Sequence, residues 1–241
     1  MINYLLRLSY VGTDFHGWQV QPGLRTVQGV LSEALNTILG HPVKLIGCCR
    51  TDAGVHAKDY VANFLSQKDV KDEALLKALN GMLPKDIGVK EVLKVDPTFN
   101  ARYHVKEKVY SYRIHNSYRR DPFLYPFVWQ LPRTLDLDAM KEACNILVGE
   151  HDFSGFAKLE EEDKNTVVHL KEVNMKVEGE LITISFRASH FLRYMVRRMV
   201  GAIVHVGLGK IDLKNVEEYL KGAKCPYSAK AKGLTLEEVI L

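Results

Sequence analysis

The sequence predicts an α/β protein of the α+β type, built as two halves that each follow split βαβ order. Three observations predict this. Short β-prone runs are mostly apolar or alternate apolar with polar residues. Amphipathic stretches with capping residues fall between them. The order strand, helix, strand, strand, helix, strand is complete by residue 95 and then recurs loosely.

Residues 2–10 read as a strand. Thr26 caps a helix over 27–39, whose apolar face is Val27, Val30, Leu31, Ala34, Leu35 and Ile38, and Gly40 stops it. Strands follow over 43–49 and 58–65. A helix over about 70–80 ends at Asn80-Gly81 with Pro84 beyond, and 87–95 is a strand. In the second half 106–115 is a strand, and Asp136 caps a helix over 137–148 that stops at Gly149. Residues 166–177 and 181–188 form a hairpin around Glu178-Gly179-Glu180, with Ile182, Ile184 and Phe186 on one face. A long helix over about 189–206, a short one near 212–221 and a strand near 234–240 close the chain. The expected domains are 1–104 and 105–241. The irregular connections 116–135 and 150–165 are long enough to carry binding groups.

Hydrophobic residues at 46% and charged residues at 26% are ordinary for a folded globular chain. No apolar run reaches the roughly 18 residues of a membrane span, and the N-terminus reads directly into a strand, so no signal peptide is expected. Cys48, Cys49, Cys144 and Cys225 show no C-x-x-C spacing, so reduced thiols in a cytoplasmic protein are expected. A net charge of +4 permits a polyanionic partner without requiring one. Arg25, Arg50, Arg102, Arg119, Arg120 and Arg193 suit phosphate forks and base stacking, or a solvated surface.

Four segments carry candidate chemistry. In Gly47 to Ala57 a strand ends in Arg50-Thr51-Asp52-Ala53-Gly54-Val55-His56. Asp52 there is either an ordinary turn residue or a carboxylate held ionised by Arg50 for nucleophilic attack, with Gly47 and Gly54 letting the backbone turn. Tyr110, Tyr112 and Ile114 share one face of a strand, as a half-buried surface or as a platform for an unpaired base. Arg193 and Arg197 lie one turn apart on the helix that begins near His190, either solvated or awaiting an anion. Tyr10 to Gln21 forms a loop with an exposed-looking Trp18, set to touch a polar partner or pinned into the core. No phosphate-binding glycine loop, nucleophile elbow or zinc-type histidine spacing occurs, and no metal or nucleotide cofactor is expected.

Together these segments resemble the TruA-like tRNA pseudouridine synthase family along nearly the whole chain. The resemblance rests on Tyr10–Gln21, Arg50–Ala57, Phe99–Ile114, Gly149–Phe153, Phe191–Gly201 and Ala231-Lys232-Gly233-Leu234. It implies two ferredoxin-like halves joined in a mainly antiparallel sheet, with the site in the cleft between them. It implies an isomerase that converts uridine to pseudouridine at positions 38–40 of the tRNA anticodon arm, without a cofactor, as a homodimer. Asp52 falls on the catalytic aspartate, Tyr110 on the tyrosine that stacks on uracil, and Arg197 on the arginine that pairs with the carboxylate. Arg50 falls on the arginine that helps extrude the base, and Arg25, Trp18, His56 and Arg102 are further candidate substrate contacts. Lys108, Asn100 and Asp59-Tyr60 depart from the family pattern at positions tied to RNA contact. Two other readings compete. A silent RNA-binding module leaves Asp52 without a role, and a metal-dependent hydrolase needs more carboxylates than Asp52 and Asp59 supply.

Overall fold

The structure, a computed structural model, describes residues 1–159 and 165–241. In chain order it begins with β1 (Ile2–Tyr10), α1 (Val27–Leu39), β2 (Ile46–Gly47), β3 (His56–Ser66), α2 (Asp72–Met82), β4 (Ile87–Val95) and α3 (Ala101–His104). It continues with β5 (Glu107–His115), β6 (Trp129–Gln130), α4 (Leu137–Leu147), β7 (Gly149–Asp152), β8 (Val167–Glu178) and β9 (Leu181–Ala188). The last elements are α5 (Met195–Gly207), α6 (Leu213–Tyr219) and β10 (Leu234–Ile240). The chain divides into two compact units: Met1–Lys106 with Leu236–Leu241, and Glu107–Thr235. Both are mixed α/β with mainly antiparallel strands, the class that the element order predicts.

In the first unit β1 pairs antiparallel with β3 on one side and β4 on the other, with Leu6 opposite Ala62 and Val92. Tyr4, Leu6, Leu8 and Tyr10 alternate along β1 and are buried, as are Val27, Leu31 and Leu35 of α1 and Leu75 and Leu79 of α2. Thr26 Oγ1 accepts from Gly29 N and caps α1 as expected. From Leu236 on, β10 lies beside β3. Asp59 Oδ2 fixes it there, accepting from Val239 N at 2.9 Å and from Arg7 at 2.6 Å.

Two expected boundaries in this unit shift, and side chains of neighbouring elements are the reason. The strand expected over 43–49 pairs only at Ile46 and Gly47. Upstream of it, Val43 N donates to Asn36 Oδ1 at 2.8 Å and Leu45 O accepts from Gln28 Nε2 at 3.0 Å, so α1 takes the place of a strand neighbour. Helix α2 runs through Asn80-Gly81 to Met82. Asn80 does not stop it: the Asn80 side chain donates to Val89 O at 2.8 Å and accepts from Val89 N at 2.9 Å, fastening β4.

In the second unit the strand order is β5-β9-β8-β7, antiparallel throughout, and β6 runs parallel beside the end of β5. Tyr110, Tyr112 and Ile114 pair with Phe186, Ile184 and Ile182, so the face-sharing read from alternation holds. Asp136 Oδ1 caps α4, accepting from Ala139 N at 3.0 Å. Helix α4 packs on α5, α6 and β8, and α5 is buried nearly all round. α5 begins at Met195 rather than near residue 189. The connection expected over 150–165 holds most of β7, and its residues 160–164 lie outside the described residues. Among the described residues no helix is long and apolar enough to cross a membrane.

Candidate active site

The first unit contributes the loop between β2 and β3, residues 48–55, and ties it down by its backbone. Cys48 N closes onto Val61 O at 2.9 Å, the last bond before the loop leaves the sheet. Val55 N donates to Asp52 O at 3.1 Å, making a tight turn over Asp52–Val55 whose third residue, Gly54, has φ 81°. A positive φ at that position is open to glycine at no steric cost.

The loop that follows β1 clamps the other side. Trp18 N donates to Thr51 O at 3.1 Å and Gly54 N to Phe15 O at 3.3 Å. Tyr10 Oη and Thr51 Oγ1 are hydrogen-bonded at 2.8 Å, and His56 Nδ1 accepts from Gly12 N at 2.9 Å. Tyr60 Oη donates to Cys49 O at 2.5 Å, and the Trp18 ring stacks on the Tyr60 ring at 4.1 Å. Burial raises the phenols of Tyr10 and Tyr60 well above their ordinary value, so both stay protonated. What this clamp leaves outside is the Arg50 side chain, exposed, and the Asp52 side chain, half-buried. Gly47 was expected to let the chain turn. It sits instead in β2, where a Cβ would lie 2.2 Å from Tyr60 Oη and 2.6 Å from the Trp18 ring.

Three further candidates of this unit have structural partners. Trp18 is 2% exposed and stacked on Tyr60, so of the two readings left open the loop pinned into the core is the one observed, and the ring is not exposed. His56 is buried as the acceptor for Gly12 N. Arg25 makes a two-pronged pair with Asp86 at 2.8 and 3.0 Å and lies 3.9 Å from the centre of the Phe15 ring. Arg102 is exposed on α3. The departures from the family pattern also have local work. Asp59 holds β10, Tyr60 carries Trp18, and the Asn100 side chain accepts from Arg102 N at 2.9 Å to cap α3.

The second unit contributes Tyr110 and Arg197. Tyr110 sits mid-strand in β5, 6% exposed, and its ring and that of Phe191 meet nearly perpendicular with centres 5.0 Å apart. Arg197 lies in the first turn of α5, half-buried, and is held in place by Ala229: Arg197 Nε donates to Ala229 O, and Ala229 N to Arg197 O, both at 2.9 Å. Tyr194 caps that helix at φ 65°, alone among the described non-glycine residues at positive φ. Such a conformation costs on the order of 1–3 kcal/mol and persists where its surroundings enforce it. Here Lys158 N takes the Arg193 carbonyl at 3.0 Å, and the guanidiniums of Arg193 and Arg197 lie 5.5 and 5.1 Å from the centre of the Tyr194 ring. Arg193 is therefore not helical, and the two arginines expected one turn apart on a helix instead share a cation–π contact with Tyr194.

Sequence reasoning missed the bracing roles of Tyr10 and Tyr60 and the capping role of Tyr194. The first two look like ordinary strand residues, and their partners lie some 40 or 11 positions away, at Thr51 and Cys49. Tyr194 lies inside an apolar run that reads as continuous helix.

A family model described as tRNA pseudouridine synthase matches residues 8–104 and 143–240. The chain is 57% identical over 242 residues to tRNA pseudouridine synthase A of Aquifex aeolicus, covering 100% of both chains. It is 42% identical to the protein of that name from Dictyoglomus thermophilum, over 93% of this chain and 92% of that one. It is 37% identical to the one from Caldicellulosiruptor bescii, with 100% of both covered.

Proposed function

This chain belongs to the tRNA pseudouridine synthase family, and on that premise we propose that it isomerises uridine at positions 38–40 of the tRNA anticodon stem-loop, with Asp52 as nucleophile. The observation that carries the role of Asp52 is the clamp on its loop. Backbone and side-chain bonds from Tyr10, Phe15, Trp18 and Tyr60 hold residues 49–54, while the Asp52 side chain stays half-exposed. A nucleophile needs this combination of a fixed backbone and access for its substrate.

In the proposed reaction a paired uridine leaves its stack, at a cost of a few kcal/mol. Arg50 supports the strand it leaves, and Arg25 and Arg102 contact the RNA. Tyr110 stacks on the uracil. Asp52 bonds to ribose C1′ or to uracil C6, and the C1′–N1 bond breaks. The uracil turns, C1′ bonds to C5, the carboxylate is released, C5 gives up its proton and N1 gains one. Atoms and electrons balance within the nucleoside and one exchanged proton, so the scheme calls for no co-reactant. Arg197 orients the Asp52 carboxylate by opposite charge. The protein acts as a homodimer in the cytoplasm.

The test uses tRNA tritiated at uridine C5. The wild type should release tritium, and Asp52→Ala should bind the same tRNA and release none. Turnover by Asp52→Ala would remove Asp52 from the mechanism. Binding without release by the wild type would leave an RNA-binding module. Light scattering that shows only monomer would contradict the homodimer.

A further inference from the structure

We propose that the unit Glu107–Thr235 carries a phosphodiester-binding pocket that grips the RNA backbone apart from the chemistry; the choice of RNA as ligand rests on the family reading above. The pocket is an open one of about 280 Å³, lined by Arg120, Tyr125, Gln130, Pro132, Lys230 and Lys232. Three of the six are cations and none is a carboxylate. Lys232 Nζ lies 3.3 Å from the centre of the Tyr125 ring and donates to Tyr125 O at 3.0 Å, and the Arg120 guanidinium lies 5.0 Å from the same ring. The ring's negative face attracts both cations, yet gathering them around one cavity still costs repulsion. An anion in the cavity removes that cost.

The pocket walls are formed in advance. At the base of the connection from β5 to α4, Asn116 Nδ2 donates to Leu131 O and Arg133 O, both at 2.7 Å. Gln130 Nε2 donates to Ser117 O at 3.1 Å and Arg119 O at 3.2 Å, and Asp121 Oδ1 accepts from Phe123 N at 2.8 Å. On the other wall, Lys230 O accepts from the buried Tyr112 hydroxyl at 2.7 Å. A site built before its ligand arrives loses little entropy on binding.

A free phosphate and an RNA phosphodiester share this chemistry. The same connection favours RNA: Tyr118 is 86% exposed and Phe123 is 90% exposed, rings that offer stacking faces to unpaired bases but nothing to a small anion.

Arg120 and Lys230 are exposed, so Arg120→Gln/Lys230→Gln should fold with an unchanged melting temperature. Full-length tRNA affinity is measured across salt concentrations for the wild type and this variant. The variant's slope of log affinity against log salt should be shallower by about two, one per lost phosphate contact, and its Kd should rise at least about tenfold at low salt. KM should rise in parallel with kcat held within about twofold. The same result with a wild type that forms no pseudouridine would still support the pocket, while ending the enzymatic reading. Identical slope and Kd in the two proteins would overturn it, as would a fall in kcat at unchanged KM. Inorganic phosphate is titrated alone as the second arm. Saturable phosphate binding lost in the variant, with tRNA affinity unchanged, would make this a free-anion site and overturn the RNA assignment.

Discussion

Tyr10 and Thr51 meet hydroxyl to hydroxyl at 2.8 Å, both buried, one residue before Asp52. The bond joins the end of β1 to the loop that carries the carboxylate, over a sequence separation of 41 residues. Tyr10→Phe removes it and leaves the Thr51 hydroxyl short of a partner. We expect a loss of about 1–2 kcal/mol in urea unfolding. We also expect kcat to fall about tenfold with KM unchanged, since a tenfold change needs only about 1.4 kcal/mol of lost positioning. An unchanged kcat in a variant destabilised by that amount would show that the bond serves folding alone.

The Trp18 ring is buried and stacked on Tyr60, and its substitution should therefore read out in stability. Trp18→Ala should cost about 3–5 kcal/mol, as for other large buried aromatics. In a chain of this size that lowers Tm by very roughly 10 °C. Gly47→Ala drives a Cβ into the same ring pair and should cost about 1–3 kcal/mol. A Trp18→Ala protein with wild-type Tm and weakened tRNA affinity would restore the direct contact expected from sequence.

Tyr194 holds a left-handed backbone, and the guanidiniums of Arg193 and Arg197 both lie over its ring. Tyr194→Phe keeps the ring and should turn over like the wild type. Tyr194→Leu keeps the strained backbone but not the ring, and should lower kcat about fivefold, from about 1 kcal/mol of cation–π contact that no longer orients Arg197. Equal rates for the two variants would show that the ring does not position the arginine.

Burial lowers the His190 pKa from its ordinary value of 6.5, and the Lys108 charge lowers it further. The unfolded chain therefore binds this proton more readily than the folded one. The sign follows: the contribution of neutral His190 is fully present above pH 6.5 and is lost as pH falls through the lower folded value. Between pH 7.5 and 5, the stability difference between the wild type and His190→Gln should shift against the wild type, as read by urea midpoints. A difference that stays constant over that interval would contradict the burial of this ring.

Much of the fold was legible because it depends on local pattern. The alternation in 181–188, the cap at Thr26 and the cap at Asp136 depend on residues within a few positions of each other, and each stands where it was expected. Asn80 and Tyr194 were misread for the opposite reason. Asn80 looks like a helix stop until Val89 is placed beside it, and residues 189–194 look helical until Lys158 takes the Arg193 carbonyl. In both places a distant backbone group competes with the local preference and wins.

The sequence by itself determined the class of fold, most elements and the identity of the loop around Asp52, because periodicity and motif are properties of neighbouring residues. Only the tertiary structure decided that Tyr10, Trp18 and Tyr60 brace that loop, that Arg193 and Arg197 share one ring, and that Arg120, Lys230 and Lys232 surround one cavity. Those groupings form when segments tens of residues apart pack together, and hydrogen-bonding and charge energies depend on distance in space rather than on distance along the chain.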